Sequence, residues 1–570
     1  MHARIRVVVW VLTGVFACVL LRIGLLQVTL ASQFTRLARR QHELRLPIPP
    51  LRGTIYDRTM RPLATTLLTD SVAADPRHMD RAAKEEVARE LTRALHLEPA
   101  FVAERLSRDK SFVWIKRQVP REQALELRGA DLPWVYLVKE PKRFYPGGTL
   151  ASHVLGFVNI DHQGVEGIEQ LHHQELAGFA GTQRLYRDGR GRLLRHELLE
   201  YQPSMDGYDV VLTLDAVIQA IAEAELDRAY HDTRAKGGSV IVLDPKTGEI
   251  LALANRPTFD PNAPGLATPE ERRDRAVTDL MEPGSVFKAI TASALFDLGL
   301  VTPTDTFFCE NGKFHTIGHR ILHDHTSHGT LTFREVIALS SNIGTVKAAQ
   351  RLRPEQLYTY IRRFGFGERS GVDLPGEIPG MIHPPSQWSK TSPYAIPIGQ
   401  EVGATVMQMA VGIAAIANGG YVLRPHVVKA IYNRQGERIA AYGAAFHSRA
   451  IATATAERLL PLLVGVIEEG TGKAAKVQGF LAGGKTGTAQ KIDPDGHYSH
   501  SKFIASFVGF IPAENPAVVI AVSLDEPFPI YGGVVAAPVF KRIAEPVMNY
   551  LGIAPLESPV EAKAGGRPAS

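Results

Sequence analysis

Apolar residues run without a charge from Val7 to Leu21 (VVVWVLTGVFACVLL), and after Arg22 the run resumes as IGLLQVTLA to Ala31. The stretch is about 24 residues long, and roughly 20 helical residues cross a bilayer. It predicts a transmembrane helix over 7–30. Arg4 and Arg6 precede it, which puts residues 1–6 in the cytoplasm and the main body outside. A cleaved signal peptide is the alternative, with Thr29 and Ala31 small enough for a cleavage site, but the run is long for a signal peptide. Arg22 either snorkels to the outer interface or faces a membrane partner.

Gln33–Leu46 is polar and helix-prone, and reads as a connector ahead of Pro47, Pro49 and Pro50. From 51 to 205 short strands mix with helical runs, such as Arg81–Leu95 and Glu122–Arg128. The turn-rich stretch Tyr201–Gly207 marks a domain boundary. Asp209–Leu214 then reads as a strand, and Asp215 as the N-cap of a helix reaching Tyr230. SVIVLD (239–244) and EILALAN (249–255) flank Pro245-Lys-Thr-Gly248, which predicts a hairpin. FIASFVGFIP (503–512) and AVVIAVSL (517–524) are candidate neighbouring strands, and Ser285–Leu298 and Gln408–Asn418 are helical. A sheet with helices, α/β or α+β, follows. From Pro555 on, little apolar content remains, which predicts a disordered tail over 556–570.

Composition narrows the class. Of 570 residues, 45% are hydrophobic and 22% charged, which excludes wholesale disorder. Two cysteines, Cys18 and Cys309, exclude a disulfide scaffold and a cysteine-based zinc set. Lys and Arg number 64 against 59 Asp and Glu, a formal +5, too small and dispersed an excess for a nucleic-acid binder.

Three short motifs occur in order: Ser285-Val-Phe-Lys288, Ser340-Ser341-Asn342 and Lys485-Thr486-Gly487-Thr488. Glu282-Pro-Gly284 breaks the chain before the first, and apolar residues at 286, 287, 290, 294 and 295 predict a helix from about Ser285. Serine and lysine three apart then share one helix face. A serine hydroxyl is a weak nucleophile until a base takes its proton. Lysine serves as that base when burial or a nearby cation depresses its pKa, and Lys485 could supply the cation. The helix N-terminus offers N–H groups to a developing oxyanion. Each motif alone is common, as a solvated helix face, a helix cap or a turn. Together and in this order they point to an active-serine acyl-transfer site.

This set resembles the penicillin-binding protein and serine β-lactamase superfamily. The flanks resemble class B penicillin-binding proteins: Arg52-Gly-Thr-Ile-Tyr-Asp-Arg58, Arg143-Phe-Tyr-Pro-Gly147, Ala151-Ser-His-Val-Leu-Gly-Phe157 and Gly164-Val-Glu-Gly-Ile-Glu169. Phe364-Gly-Phe-Gly367, Tyr531-Gly-Gly533 and Ala537-Pro-Val-Phe540 fit further downstream. Ser71-Val-Ala-Ala-Asp-Pro76 and the overall size look more like the division-specific FtsI branch (penicillin-binding protein 3 type) than the elongation branch. Two departures stand out. Asp57-Arg58-Thr59-Met60 replaces the family's Asp-Arg-Asn-Gly, and Gly399-Gln400-Glu401 replaces Gly-Gln-Gly.

The resemblance implies an α/β (α+β) transpeptidase domain at 207–555, preceded by an elongated mixed α/β pedestal at 31–206 and the single transmembrane helix. It implies a membrane-anchored D,D-transpeptidase of the bacterial inner membrane, with the catalytic domain periplasmic. Ser285 would attack the penultimate D-Ala carbonyl of a peptidoglycan stem peptide. Lys288 would be the general base, Ser340 a proton relay and Asn342 the orienting group for Lys288 and the donor amide. Lys485 and Thr488 would hold the donor carboxylate, with Thr486 and Gly487 alongside. The N–H groups of Ser285 and Thr488 would form the oxyanion hole. β-Lactams should acylate Ser285. No metal or nucleotide cofactor is implied. A lone transpeptidase implies a polymerase partner, in the FtsI branch the membrane protein FtsW, together with other divisome proteins.

Other readings remain beside this one. An elongation enzyme (penicillin-binding protein 2 type, with a RodA partner) or a sporulation-specific relative would use the same chemistry. A β-lactam sensor or a divisome scaffold would be non-enzymatic, but only about six residues precede the anchor and all motif residues are present. His315, His319, His323, His325 and His328 crowd around Asp324, either as a zinc site or, as expected here, as a polar surface loop. Glu166 and Glu169 could mimic a glycosidase carboxylate pair, but structural salt bridges are the expectation.

Overall fold

The computed structural model describes residues 2–34, 43–187, 193–316, 321–493 and 495–556. The chain forms two compact units, each discontinuous in sequence. One comprises Met1–Arg52, Asp70–Pro141 and Ala177–Gly207, the other Gly53–Thr69, Lys142–Leu176 and Tyr208–Ser570.

In the first unit, His2–Gly24 is an α-helix continued by a wider turn over Leu25–Thr29. It is long and apolar enough to cross a membrane, with a mean hydropathy of 2.3. Of the expected helical connector Gln33–Leu46, Gln33 and Phe34 are helical, and the part from Glu43 on is corrected. Residues 35–42 lie outside the described residues, and Glu43–Ile48 is a strand paired antiparallel with Gly181–Arg187. Leu44, Leu46 and Ile48 alternate with Glu43, Arg45 and Pro47, the two-residue period of a strand. Asp80 caps the helix Arg81–Leu95 by accepting from Ala83 N at 2.8 Å. The apolar stripe of that helix, Val87, Leu91 and Leu95, packs with Val102 and Leu106 of Pro99–Ser107 and Leu127 of Arg121–Ala130.

The second unit is built on a five-stranded antiparallel sheet. Its spatial order is Ile250–Arg256, Gly237–Leu243, Val518–Asp525, Tyr498–Ile511, Gly483–Ile492. The expected hairpin is its first pair, with Gly248 at φ +79° in the turn. The expected neighbours 503–512 and 517–524 pair in register from Ile504↔Asp525 to Ile511↔Val518. Alternate residues serve two cores. Val240, Val242, Ile520, Val522 and Phe507 face the helices Ala216–Asp232 and Ala537–Tyr550, where Phe507 and Phe540 meet edge to face at 5.0 Å. Ile241, Leu243, Val519, Ala521 and Val508 face the other way, with Lys288–Asp297, Val406–Ala417 and Thr453–Glu468. Both faces being covered explains the near-continuous apolar strands. Asp215 caps its helix as expected, accepting from Val217 N at 3.0 Å.

Three flanking signatures meet inside this unit. Arg143 donates to Glu169 Oε1 at 2.6 Å and to Gly53 O at 2.6 Å, and Tyr145 OH donates to Glu169 at 3.3 Å. The side chains of Arg143 and Glu169 are 1% and 0% exposed. Glu166 pairs with Arg272 at 3.2 Å. Both glutamates therefore make the salt bridges expected of them.

Candidate active site

Ser285 does not start the α-helix. It sits in a 3₁₀ turn, Gly284–Phe287, that leads into Lys288–Asp297. Pro283 and a positive φ of +52° at Gly284 break the chain there, so the first turn closes tightly. Lys288 opens the α-helix proper and is fully buried. Its Nζ donates to Ser340 O at 2.5 Å and Ser340 Oγ at 3.2 Å.

Ser340 is held at φ +59°, a left-handed conformation rare for serine. It ends the turn after Phe333–Ala338, and Ser341 then caps Asn342–Ala349 by accepting from Gly344 N at 2.9 Å. The reversal at Ser340 turns both its carbonyl and its hydroxyl to Lys288. Strain of this kind persists where the surroundings over-determine it.

Lys485 approaches the same hydroxyl from the sheet. It lies on Gly483–Ile492, is fully buried, and donates to Ser340 Oγ at 2.8 Å. Thr486 shares a hydrogen bond with Thr471 at 2.7 Å, and Thr488 Oγ1 accepts from Gly532 N at 3.1 Å. Gly487 lies against the Ser285 turn. A Cβ there would meet Ser506 Oγ at 2.3 Å and Pro283 O at 3.2 Å. Gly483–Ile492 is also the last strand of its sheet, so one row of its peptide groups has no strand partner in that sheet.

Burial depresses both lysines. It brings Lys288 down to about 7 against a smaller upward pull from Asp324. Lys485 falls well below its usual range, by burial first and the Lys288 charge second. A buried lysine near neutrality is a competent proton acceptor at physiological pH.

Asn342 stands at the site, but its side-chain amide donates to His323 O at 2.8 Å, and it makes no hydrogen bond with Lys288 among the described residues. Asp324, read from the sequence only as a member of the histidine cluster, is a partner of the second motif. Its carboxylate accepts from Ser341 Oγ at 2.6 Å, Asn342 N at 2.5 Å and Ile343 N at 3.0 Å. It anchors the second motif from a separate loop. No local pattern announces it, because Ser341 already reads as the cap of that helix.

The histidine-rich segment forms a small hairpin, Lys313–His315 with Ile321–His323. His319 lies outside the described residues. Among the described residues no group of three His, Cys, Asp or Glu is placed to hold a metal ion. His325 instead packs against Tyr531, the rings tilted by 50° with centroids 4.8 Å apart.

A serine in a tight turn, two buried lysines on a second serine and an edge strand beside them define an active-serine acyl-transfer enzyme. Residues 238–545 match the penicillin binding protein transpeptidase domain, and 47–212 the penicillin-binding protein dimerisation domain. The chain belongs to the class B penicillin-binding proteins, the serine-type D-Ala-D-Ala transpeptidases of peptidoglycan. It is 36% identical over 565 residues to "Probable peptidoglycan D,D-transpeptidase PenA" of Neisseria gonorrhoeae, covering 97% of this chain and 94% of that one. It is 34% identical to stage V sporulation protein D of Bacillus subtilis, covering 96% and 86%. Among solved structures it is similar to penicillin-binding protein 3 of Mycobacterium tuberculosis complexed with aztreonam. The TM-score is 0.70 at 31% identity, covering 90% of this chain and 99% of that one.

Proposed function

We propose that Ser285 is the nucleophile of a septal D,D-transpeptidase. The observation that carries the reading is the convergence of Lys288 and Lys485 on Ser340 Oγ, with Lys288 one turn along from Ser285. Neutral Lys288 takes the Ser285 proton as Oγ bonds to the carbonyl carbon of the penultimate D-Ala. The oxyanion is held by the N–H groups of Ser285 and Thr488. The C–N bond then breaks, and terminal D-Ala leaves as an amine that regains the proton from Lys288 through Ser340. An acceptor amine attacks the acyl-enzyme, its proton returns along the same path, and the cross-link releases Ser285. Lys485 and Thr488 bind the donor carboxylate beside Thr486 and Gly487, and Asn342 contacts the donor amide. β-Lactams acylate the same serine.

The septal role is supported by the Ser71–Pro76 segment and by the similarity to a protein described as penicillin-binding protein 3. On this reading the chain is anchored in the inner membrane through His2–Gly24, N-terminus cytoplasmic, beside an FtsW-type glycosyltransferase and other divisome proteins. The likeness to the sporulation protein over 96% of the chain favours a second reading, sporulation-specific cross-linking. Depletion in growing cells separates the roles. Filaments support division, round cells indicate elongation, and a defect confined to spores indicates sporulation. Release of D-Ala with cross-linked product from pentapeptide strands, lost in Ser285→Ala, tests the chemistry.

A further inference from the structure

Glu401 stands in one of the two motifs where the sequence departs from the family pattern. Its backbone sits at φ +58°, a conformation that glycine enters freely and glutamate does not. A side chain kept there against its preference points to surroundings that use it.

The surroundings are specific. Glu401 Oε2 accepts from Ser392 Oγ at 2.5 Å, and Glu401 N donates to Glu282 Oε1 at 2.8 Å. Tyr498 OH donates to that same Glu282 oxygen at 3.0 Å. Ser392 is 2% exposed and accepts from Ser389 N at 2.9 Å, so the carboxylate of Glu401 ties down the whole turn before it. Two residues upstream, Gly399 O accepts from Gly284 N at 3.1 Å, and Gly284 immediately precedes Ser285. A Cβ on Gly399 would lie 2.2 Å from Gly284 O, so this contact has no slack. On the other side, Met281 and Ala404 exchange both backbone hydrogen bonds, at 2.9 and 2.8 Å. Met281, Glu282 and Gly284, the approach to Ser285, are thus held by 399–404.

We propose that Glu401 is a positioning residue for the nucleophile. Its bond to Ser392 makes the 389–395 turn and the 399–404 segment one unit, and that unit sets the Ser285 turn against the edge strand. The proposal rests on Ser285 being the nucleophile. A glycine at 401 would relax the backbone and loosen the unit, so stability and acylation should move in opposite directions.

The test compares the second-order rate of acylation by fluorescent penicillin and the thermal melting point for the wild-type full chain, Glu401→Gly, Glu401→Gln and Ser392→Ala, with Ser285→Ala as baseline. Glu401→Gly should melt no lower than wild type yet acylate about tenfold more slowly, because small misplacements of a reacting group are costly in rate. Glu401→Gln keeps an acceptor oxygen and should recover most of the rate. Ser392→Ala should be as slow as Glu401→Gly without the gain in melting point, and it carries the test if Glu401→Gly does not fold. Wild-type rates in Glu401→Gly or Ser392→Ala, or a Glu401→Gln as slow as Glu401→Gly, overturn the proposal. Labelling of Ser285→Ala at the wild-type rate would overturn the nucleophile assignment instead.

Discussion

Lys288 and Lys485, one on a helix and one on a sheet edge, point their ammonium nitrogens at the same hydroxyl, at 3.2 and 2.8 Å from Ser340 Oγ. Both side chains are fully buried. Two cations cannot share so small a space without one yielding its proton, since like charges in a low-dielectric site disfavour joint ionisation. Burial and this mutual repulsion therefore both favour a neutral amine at the site.

Lys288→Ala should leave the fold intact and slow penicillin acylation by about 10²- to 10⁴-fold, the range of a lost general base. Lys288→Arg should be no better, because a guanidinium stays protonated. Stopped-flow fluorescence with labelled penicillin measures both. A Lys288→Arg enzyme near the wild-type rate would remove Lys288 from the base role.

The pH profile of acylation should rise through about 7, where Lys288 loses its proton. Asp324 holds that value up, so Asp324→Asn should move the rising limb to lower pH. The plateau should also fall, because three hydrogen bonds to Ser341, Asn342 and Ile343 are weakened. Rates measured over roughly pH 5 to 9 check both effects. An unmoved limb would mean that another group titrates.

The same shift has a stability consequence. An unfolded lysine titrates near about 10.4, and Lys288 near 7 in the fold. Between those values the unfolded chain holds more protons, so the stability contributed by this group rises with pH. The penalty is complete below about 7 and relieved toward 10. Lys288→Met lacks it. Its melting point relative to wild type should be most favourable below pH 7 and lose ground as pH rises, and a pH-independent difference would contradict the burial argument.

Arg143 and Glu169 lock three signatures together in the second unit. Glu169→Ala would strand a guanidinium that is 1% exposed, at a cost of about 3–5 kcal/mol. Replacing both with apolar residues, Arg143→Met with Glu169→Leu, should recover much of that loss. Chemical denaturation curves of the two variants decide it. A double variant no better than the single one would show that Gly53 and Tyr145 depend on the pair itself.

The hairpin around Gly248 and the neighbours 503–512 and 517–524 were legible because apolar runs and turn residues are local signals. The three candidate motifs were legible by order, and the structure brings Lys288, Ser340 and Lys485 together. What escaped was non-local or conformational. Glu43–Leu46 looked helix-prone by composition, yet pairing with 181–187 fixes it in a strand. Ser285 was expected to start an α-helix, but Gly284 at positive φ gives a 3₁₀ turn. Asp324 reaches the second motif from 17 residues away in sequence, a distance no periodicity encodes. The two departures at Met60 and Glu401 were visible as residues, but only the backbone shows that both sit at positive φ, +68° and +58°.

The most direct measurement is peptide mapping by mass spectrometry after brief exposure of the full-length protein to penicillin. One covalent adduct is expected on the peptide containing Ser285, absent in Ser285→Ala and formed far more slowly in Lys288→Ala. An adduct on another residue, or a Ser285 adduct forming as fast without Lys288, would contradict this expectation.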